Sequence, residues 1–178
     1  SDFQKLNTLL KRKPFPIPKI QDVLQKLGGF THATSLDLNM GYYTLRLSPK
    51  SSEMCTIILP WGKYQYLRLP MGVAGSPDIF QDRISSLMEG IESIRAYLDD
   101  LLVITKGSYT EHLAEVAKVL QRLEKAGLKV NVTKSSFATQ ELEYLGYWLT
   151  PHNIKPLTNK VEAIQRLQAP KTVQQLRL

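Results

Sequence analysis

Asp99 and Asp100 stand side by side between two strand-like runs, one ending in Tyr97-Leu98 and the other formed by Leu101-Leu102-Val103-Ile104-Thr105. Apolar β-branched and aromatic residues on both sides of a short polar pair predict a hairpin with the acids at its tip. The turn chemistry is poor for that purpose, because Asp-Asp lacks the glycine of the commonest two-residue turns. The two like charges repel, and no Lys or Arg lies within three residues to neutralise them. A divalent cation supplies the missing charge, and Mg²⁺ is a hard ion suited to carboxylate oxygens. The alternative is a solvated turn, since Asp is a common turn residue. A third acid weighs against it. Asp37 interrupts Ala33-Thr34-Ser35-Leu36-Asp37-Leu38, which otherwise suits a buried strand, and a lone acid there needs a partner. Three acids at the ends of neighbouring strands are the donor set for phosphoryl transfer assisted by two ions about 4 Å apart.

The elements that must position these acids follow from pattern. Pro14, Pro16 and Pro18 make an extended lead-in to a short helix over 19–27, with Ile20, Val23, Leu24 and Leu27 apolar and Gly28-Gly29 as its stop. After the Asp37 strand come a turn at Asn39-Met40-Gly41 and an alternating strand over 43–47. Segments 54–59 and 64–69 predict a hairpin around Pro60-Trp61-Gly62-Lys63, where Trp61 is open between packing, the commoner fate of a tryptophan, and a functional role. The loop 70–75 leads to Ser76 as N-cap and Pro77 at the first helical position, and Ile79, Phe80, Ile84, Leu87 and Met88 give that helix one apolar face. Ser108 and Glu111 are a candidate capping box for a helix carrying Leu113, Val116, Ala117, Leu120 and Leu123 and ending at Gly127. Residues 142–149 predict a compact hairpin around Gly146, and a further helix is expected over 158–167. The order of elements predicts an α+β domain with helices packed on one face of an antiparallel sheet.

The chain as a whole sets bounds. Its 178 residues, 43% of them hydrophobic, suffice for a real core. A net charge of +7, spread along the chain, points to a polyanionic partner, against the plainer reading of a generally basic soluble protein. Cys55 is the only cysteine, so an intrachain disulfide is excluded and a reducing compartment is expected. His32, His112 and His152 are scattered and give no zinc pattern. No apolar run approaches the roughly 18 residues of a membrane span, and no membrane partner is expected. Both ends look cut, as in an excerpt of a longer polypeptide.

Several segments in order resemble one family. Tyr97-Leu98-Asp99-Asp100, Leu36-Asp37-Leu38 with Tyr42 after it, Leu69-Pro70-Met71-Gly72 with Ser76-Pro77, Gly127-Leu128-Lys129 running to Lys134, and Tyr144-Leu145-Gly146-Tyr147 occur as in reverse transcriptases, and are most similar to the polymerases of gypsy-type LTR retrotransposons. The resemblance spans nearly the full chain. It implies the palm of a right-hand polymerase, with partial fingers over 1–32, palm over 33–48, a fingers hairpin and nucleotide-pocket loop over 49–75, palm again over 76–150, and the start of a thumb over 151–178. It also implies an RNA-directed DNA polymerase that needs two Mg²⁺ ions, with Mn²⁺ as a substitute, deoxynucleoside triphosphates, a primer strand and an RNA or DNA template. By position, Asp37 and Asp99 match the carboxylates that bind both metals, Asp100 is a more peripheral helper, and the Leu38 carbonyl is an additional ligand. Tyr42 matches the aromatic that excludes a 2′-hydroxyl, with Tyr43 assigned to packing. Met71 and Gly72 match the wall of the nucleotide pocket, although the retroviral motif has Gln where Met71 stands. Lys134 resembles the lysine proposed to protonate leaving pyrophosphate, against a solvated loop lysine as the plainer reading. Leu145, Gly146 and Tyr147 match the primer grip. The triphosphate-gripping Lys and Arg of relatives lie upstream of this segment, and Gln4 stands where they often have Arg. The remaining thumb, connection and RNase H parts of the Pol polyprotein are expected elsewhere, and the location is expected to be the cytoplasm or virus-like particles.

Two rivals belong to other classes. One is a non-catalytic nucleic-acid-binding remnant, which three retained and uncompensated acids argue against. The other is a palm polymerase copying RNA into RNA, for which Tyr42 is too large beside a ribose.

Overall fold

The computed structural model describes residues 2–25 and 27–157; the helix expected over 158–167 lies outside them. Four strands form an antiparallel sheet in the spatial order Ile94–Tyr97, Asp100–Thr105, His32–Asn39, Lys129–Thr139. β1 (His32–Asn39) is central, paired on one side with β5 (Asp100–Thr105) and on the other with β6 (Lys129–Thr139), while β4 (Ile94–Tyr97) closes the β5 edge. Strand alternation sends Leu36, Leu38, Leu101 and Val103 to one face, where they pack with Phe80 and Ile84 of α4 (Ser76–Leu87) and Val116, Val119 and Leu123 of α5 (Tyr109–Lys125). The two long helices therefore share one face, as expected. The opposite face buries Ala33 and Leu102 under α2 (Ile20–Gln25) and under β7 (Leu142–Tyr144) and β8 (Tyr147–Leu149), which continue into β9 (Ile154–Pro156).

Local chemistry explains most element boundaries. The capping box of α5 is complete: Glu111 N–H donates to Ser108 Oγ at 3.3 Å, and Ser108 N–H donates to Glu111 Oε2 at 2.7 Å. For α4 the cap is Gly75 rather than Ser76, because the Ser76 hydroxyl turns away to donate to the Pro70 carbonyl at 2.7 Å. The helix instead takes its anchor from Asp78, buried in the first turn, which accepts from Arg12 at 2.6 and 3.1 Å and from Phe15 N–H at 3.0 Å. Arg12 above all holds that carboxyl below the usual carboxylate range, and the contact straps the proline-rich arm onto the domain. In the first turn of α5, buried His112 bridges two strands, with Nε2 2.8 Å from Thr34 Oγ1 and Nδ1 2.9 Å from Thr105 Oγ1.

Other expectations fail for local reasons. The strand expected over 43–47 is a 3-10 helix over Gly41–Thr44, entered through Met40 at φ 53°, and only Arg46 makes a β-bridge, to Arg68. α3 (Pro49–Met54) goes unseen in a sequence without an apolar stripe, yet Ser48 caps it and Pro49 opens it. The hairpin of β2 (Thr56–Leu59) and β3 (Gly62–Gln65) turns tightly at Pro60-Trp61 and leaves Trp61 73% exposed, so Trp61 does not pack. β6 is a strand over a stretch to which the sequence pattern assigns no element, since an edge strand without a buried residue carries little hydrophobic signal. No described helix is long and apolar enough to cross a membrane.

Candidate active site

The acids meet where β1 and the β4–β5 hairpin end together. Tyr97 pairs with Asp100, so the two-residue turn is Leu98-Asp99, and Asp100 already belongs to β5. This shifts the expected tip by one residue, and the shift sets the geometry. Asp100 is the register partner of Asp37, and alternation puts both on the sheet face away from α4 and α5. Leu38 N–H donates to the Asp99 carbonyl at 2.9 Å, tying the turn to β1, while the Leu38 side chain is buried toward the helices.

Leu98 holds φ 52°, a left-handed conformation costing a non-glycine residue roughly 1–2 kcal/mol. Gln81 of α4, 1% exposed, steadies it. Its Oε1 accepts Leu98 N–H at 2.7 Å, while its Nε2 donates to the Ala96 carbonyl at 3.2 Å and to Ser85 Oγ at 3.1 Å. Sequence reasoning missed Gln81; an amide beside Phe80 on a helix heading for the core was the available signal.

Asp99 lies in the tightest surroundings. Its Oδ1 is buried without a hydrogen-bond partner. Burial first, then the charges of Asp100 and Asp37, push its pKa up to about 6. Gly41 is the second residue that pattern reading missed. A Cβ there would stand 2.6 Å from Asp99 Oδ1 and 2.5 Å from the Phe80 ring, so only glycine lets the chain pass over the carboxylate. Beside it Tyr42 is buried and stacks on Phe80, with ring centroids 4.7 Å apart and planes 23° from parallel. Burial, then the charge of Asp99, raises its phenol to about 12. Tyr43, given the packing role above, is instead exposed.

The β6 edge completes the site. Between its pairings with Ser35 and Asp37 the ladder bulges, and residues 132–135 loop out. Ser135 closes this bulge, its hydroxyl accepting Asp37 N–H at 3.1 Å and donating to the Asn131 carbonyl at 2.7 Å. Lys134 sits in the bulge, exposed, where its charge opposes the upward shift that burial and Asp37 impose on Asp100. On the same face, the Tyr144 hydroxyl donates to the Asp100 carbonyl at 3.3 Å and docks the β7–β8 hairpin on β5. The turn of that hairpin is Leu145-Gly146, both at positive φ, and Leu145 is held there by apolar packing. Tyr147 packs on the same cluster. Met71 and Gly72 lie on the exposed loop before α4, whose hydrogen bonds run elsewhere: Asn7 Nδ2 donates to the Gly72 carbonyl at 3.0 Å, and Ala74 N–H to Asn7 Oδ1 at 2.8 Å.

Oxygen donors and an orphaned buried Oδ1 fit a hard divalent cation. Among the described residues no three His, Cys, Asp or Glu side chains stand grouped as a cation site.

Residues 1–149 match the reverse transcriptase (RNA-dependent DNA polymerase) family. Along 99% of its length the chain is 35% identical to the retrovirus-related Pol polyprotein from transposon opus of Drosophila melanogaster and 31% identical to the transposon Tf2-3 polyprotein of Schizosaccharomyces pombe. It spans 18% and 13% of those proteins. Its fold superposes on the foamy viral protease-reverse transcriptase solved with double-stranded DNA, with a TM-score of 0.91 and 24% identity over 99% of this chain and 31% of that one. The same viral enzyme solved with an RNA/DNA hybrid gives 0.88, again at 24% identity, over 99% of this chain and 24% of that one. The architecture is thus that of a polymerase palm, and the chain belongs to the reverse transcriptase family.

Proposed function

We propose that this chain is the core of an RNA-directed DNA polymerase, adding deoxynucleotides to a primer 3′-hydroxyl as directed by an RNA or DNA template. The observation that carries the reading is the pairing of Asp37 with Asp100 beside the unsatisfied Oδ1 of Asp99, a half-buried negative cluster that the exposed Lys134 offsets only in part. Asp37 and Asp99, with Asp100 and the Leu38 carbonyl in support, would hold Mg²⁺, or Mn²⁺ in its place. Bound divalent ions supply acidification of the attacking hydroxyl and charge neutralisation of the triphosphate. The rest is done by the chain. Gln81, Gly41 and Ser135 keep the acids in place. Tyr42, backed by Phe80, offers a fixed edge against the sugar, so a 2′-hydroxyl meets a ring that cannot retreat. Met71 and Gly72 form the exposed loop that would border the nucleotide, and Lys134 is an ammonium available to the leaving pyrophosphate. The Leu145-Gly146-Tyr147 turn would hold the primer end, positioned through Tyr144 on the strand that carries Asp100. In this scheme 1–32 and 49–75 are fingers, and the thumb begins after 150.

The foamy viral relatives were solved bound to double-stranded DNA and to an RNA/DNA hybrid, which supports a primed template as the partner here. The decisive experiment is RNA-templated primer extension in Mg²⁺ by a polypeptide that includes the flanking fingers and thumb, beside its Asp99→Asn variant. Extension by the parent alone supports the reading. Equal extension by both would refute the carboxylate assignment, and none by a folded parent would leave a nucleic-acid-binding remnant.

A further inference from the structure

The β2–β3 hairpin forms a two-stranded sheet of its own, apart from both other sheets. Such a hairpin is marginal in water unless something covers it. Large apolar side chains on it reach solvent beside Lys63 and Gln65: Ile58 is 82% exposed and Trp61 73%, and Tyr64, with Leu67 just after β3, is exposed as well. Trp61 occupies a tight turn, where a small polar residue would serve the backbone better. The Tyr64 ring lies beside Gly62, at ordinary contact distance from where a Cβ would be. An exposed apolar group of this extent marks a contact surface.

Charge indicates what is contacted. Residues 43–69 carry Arg46, Lys50, Lys63 and Arg68 against Glu53 alone. Arg68 is engaged by the Thr44 carbonyl at 2.7 Å, but Arg46, Lys50 and Lys63 are exposed. Lys63 is the register partner of Ile58 and shares its face. Rings interleaved with cations suit an unpaired nucleic-acid strand, whose bases stack on the rings while its phosphates meet the cations. A protein partner is the weaker match, because interface cores are depleted of lysine. We propose that the β2–β3 hairpin is a stacking platform for single-stranded template, with Trp61 as the stacking group and Lys63 as a phosphate contact. The inference rests on the polymerase reading and names a surface away from the acids.

The test measures binding of the full chain, in chelator, to a primer–template duplex with a 5′ thymidine overhang and to the same duplex made blunt. Trp61→Ala should weaken overhang binding by roughly tenfold, the scale of one lost base stack, and leave blunt-duplex binding unchanged. Trp61→Phe should retain most of the overhang affinity. Equal binding of both duplexes by Trp61→Ala and the parent would overturn the proposal. So would a parent that sediments as a dimer, dissociates on Trp61→Ala and shows no change in DNA affinity, since the hairpin would then face a second copy. The readout is independent of catalysis. A selective overhang loss in a chain that never extends primers would keep the platform and sink the polymerase assignment, and normal extension without that loss would do the reverse.

Discussion

Removing the charge of Asp99 should stabilise the ion-free chain while destroying its response to Mg²⁺. In the folded state the Asp99 pKa is about 6, above the unfolded value of 3.8. The folded chain therefore binds the proton more tightly, and stability present below about pH 4 is lost as pH rises through 6. A gap of about two pKa units corresponds to about 3 kcal/mol in full, which partial exposure and solvent screening reduce to about 1–2 kcal/mol. In a chain of this size that is a rise in Tm of about 3–6 °C for Asp99→Asn at pH 7.5. Thermal melts of parent and variant in chelator, at pH 7.5 and 4.5, measure it. The difference between the two proteins is the readout, so carboxylates remote from Asp99 cancel, and relief of repulsion on Asp37 and Asp100 adds in the same direction. Asp99→Asn should melt higher at pH 7.5 and by a clearly smaller margin at pH 4.5. Millimolar Mg²⁺ should then raise the parent toward the variant by mass action and leave the variant unmoved. A variant that melts no higher at pH 7.5, or that gains as much from Mg²⁺ as the parent, would refute the argument that uncompensated charge is concentrated on this residue.

Gln81→Leu should cost about 1–3 kcal/mol in urea denaturation, because Leu98 N–H loses its acceptor, and should lower kcat for extension more than it raises KM; wild-type kinetics would mean that the turn holds itself. For Gly41→Ala the expected cost is about 1–3 kcal/mol of overpacking with near-complete loss of extension, since Phe80 is buried and the Asp99 side chain is too short to yield; full activity would show that the close approach is dispensable. Burial, then the charge of His32, holds the His112 pKa below 6.5, so as pH falls through 6.5 the unfolded chain takes up the proton first and stability declines. That slope should shrink in His112→Asn, and an unchanged slope between pH 7.5 and 5.5 would assign it to other groups. Tyr42→Val should narrow the preference for deoxynucleotides over ribonucleotides in single-nucleotide incorporation; unchanged discrimination would leave Tyr42 with its packing on Phe80 as its only role.

Much of this was legible in the sequence because it depends on neighbours in the chain. The α5 capping box, the apolar faces of α4 and α5, the hairpin at Leu145-Gly146 and the unusual Asp99-Asp100 pair all follow from local pattern, and with Asp37 they define the candidate chemistry. Local pattern failed where a residue answers to a distant one. Alternation predicted a strand over 43–47, but Gly41 passes over Asp99 there and the backbone turns into a 3-10 helix. The exposed edge of β6 has no apolar stripe to announce it, so the Ser135 bond that holds Asp37 was invisible. Gln81 is one glutamine in a helix until tertiary packing sets it under Leu98. The acids themselves are determined by residue type alone. Their register and burial, and the raised proton affinities of Asp99 and Asp100, were decided only when three segments far apart in the chain paired edge to edge, because desolvation and Coulomb interactions depend on distance in space and not on separation in sequence.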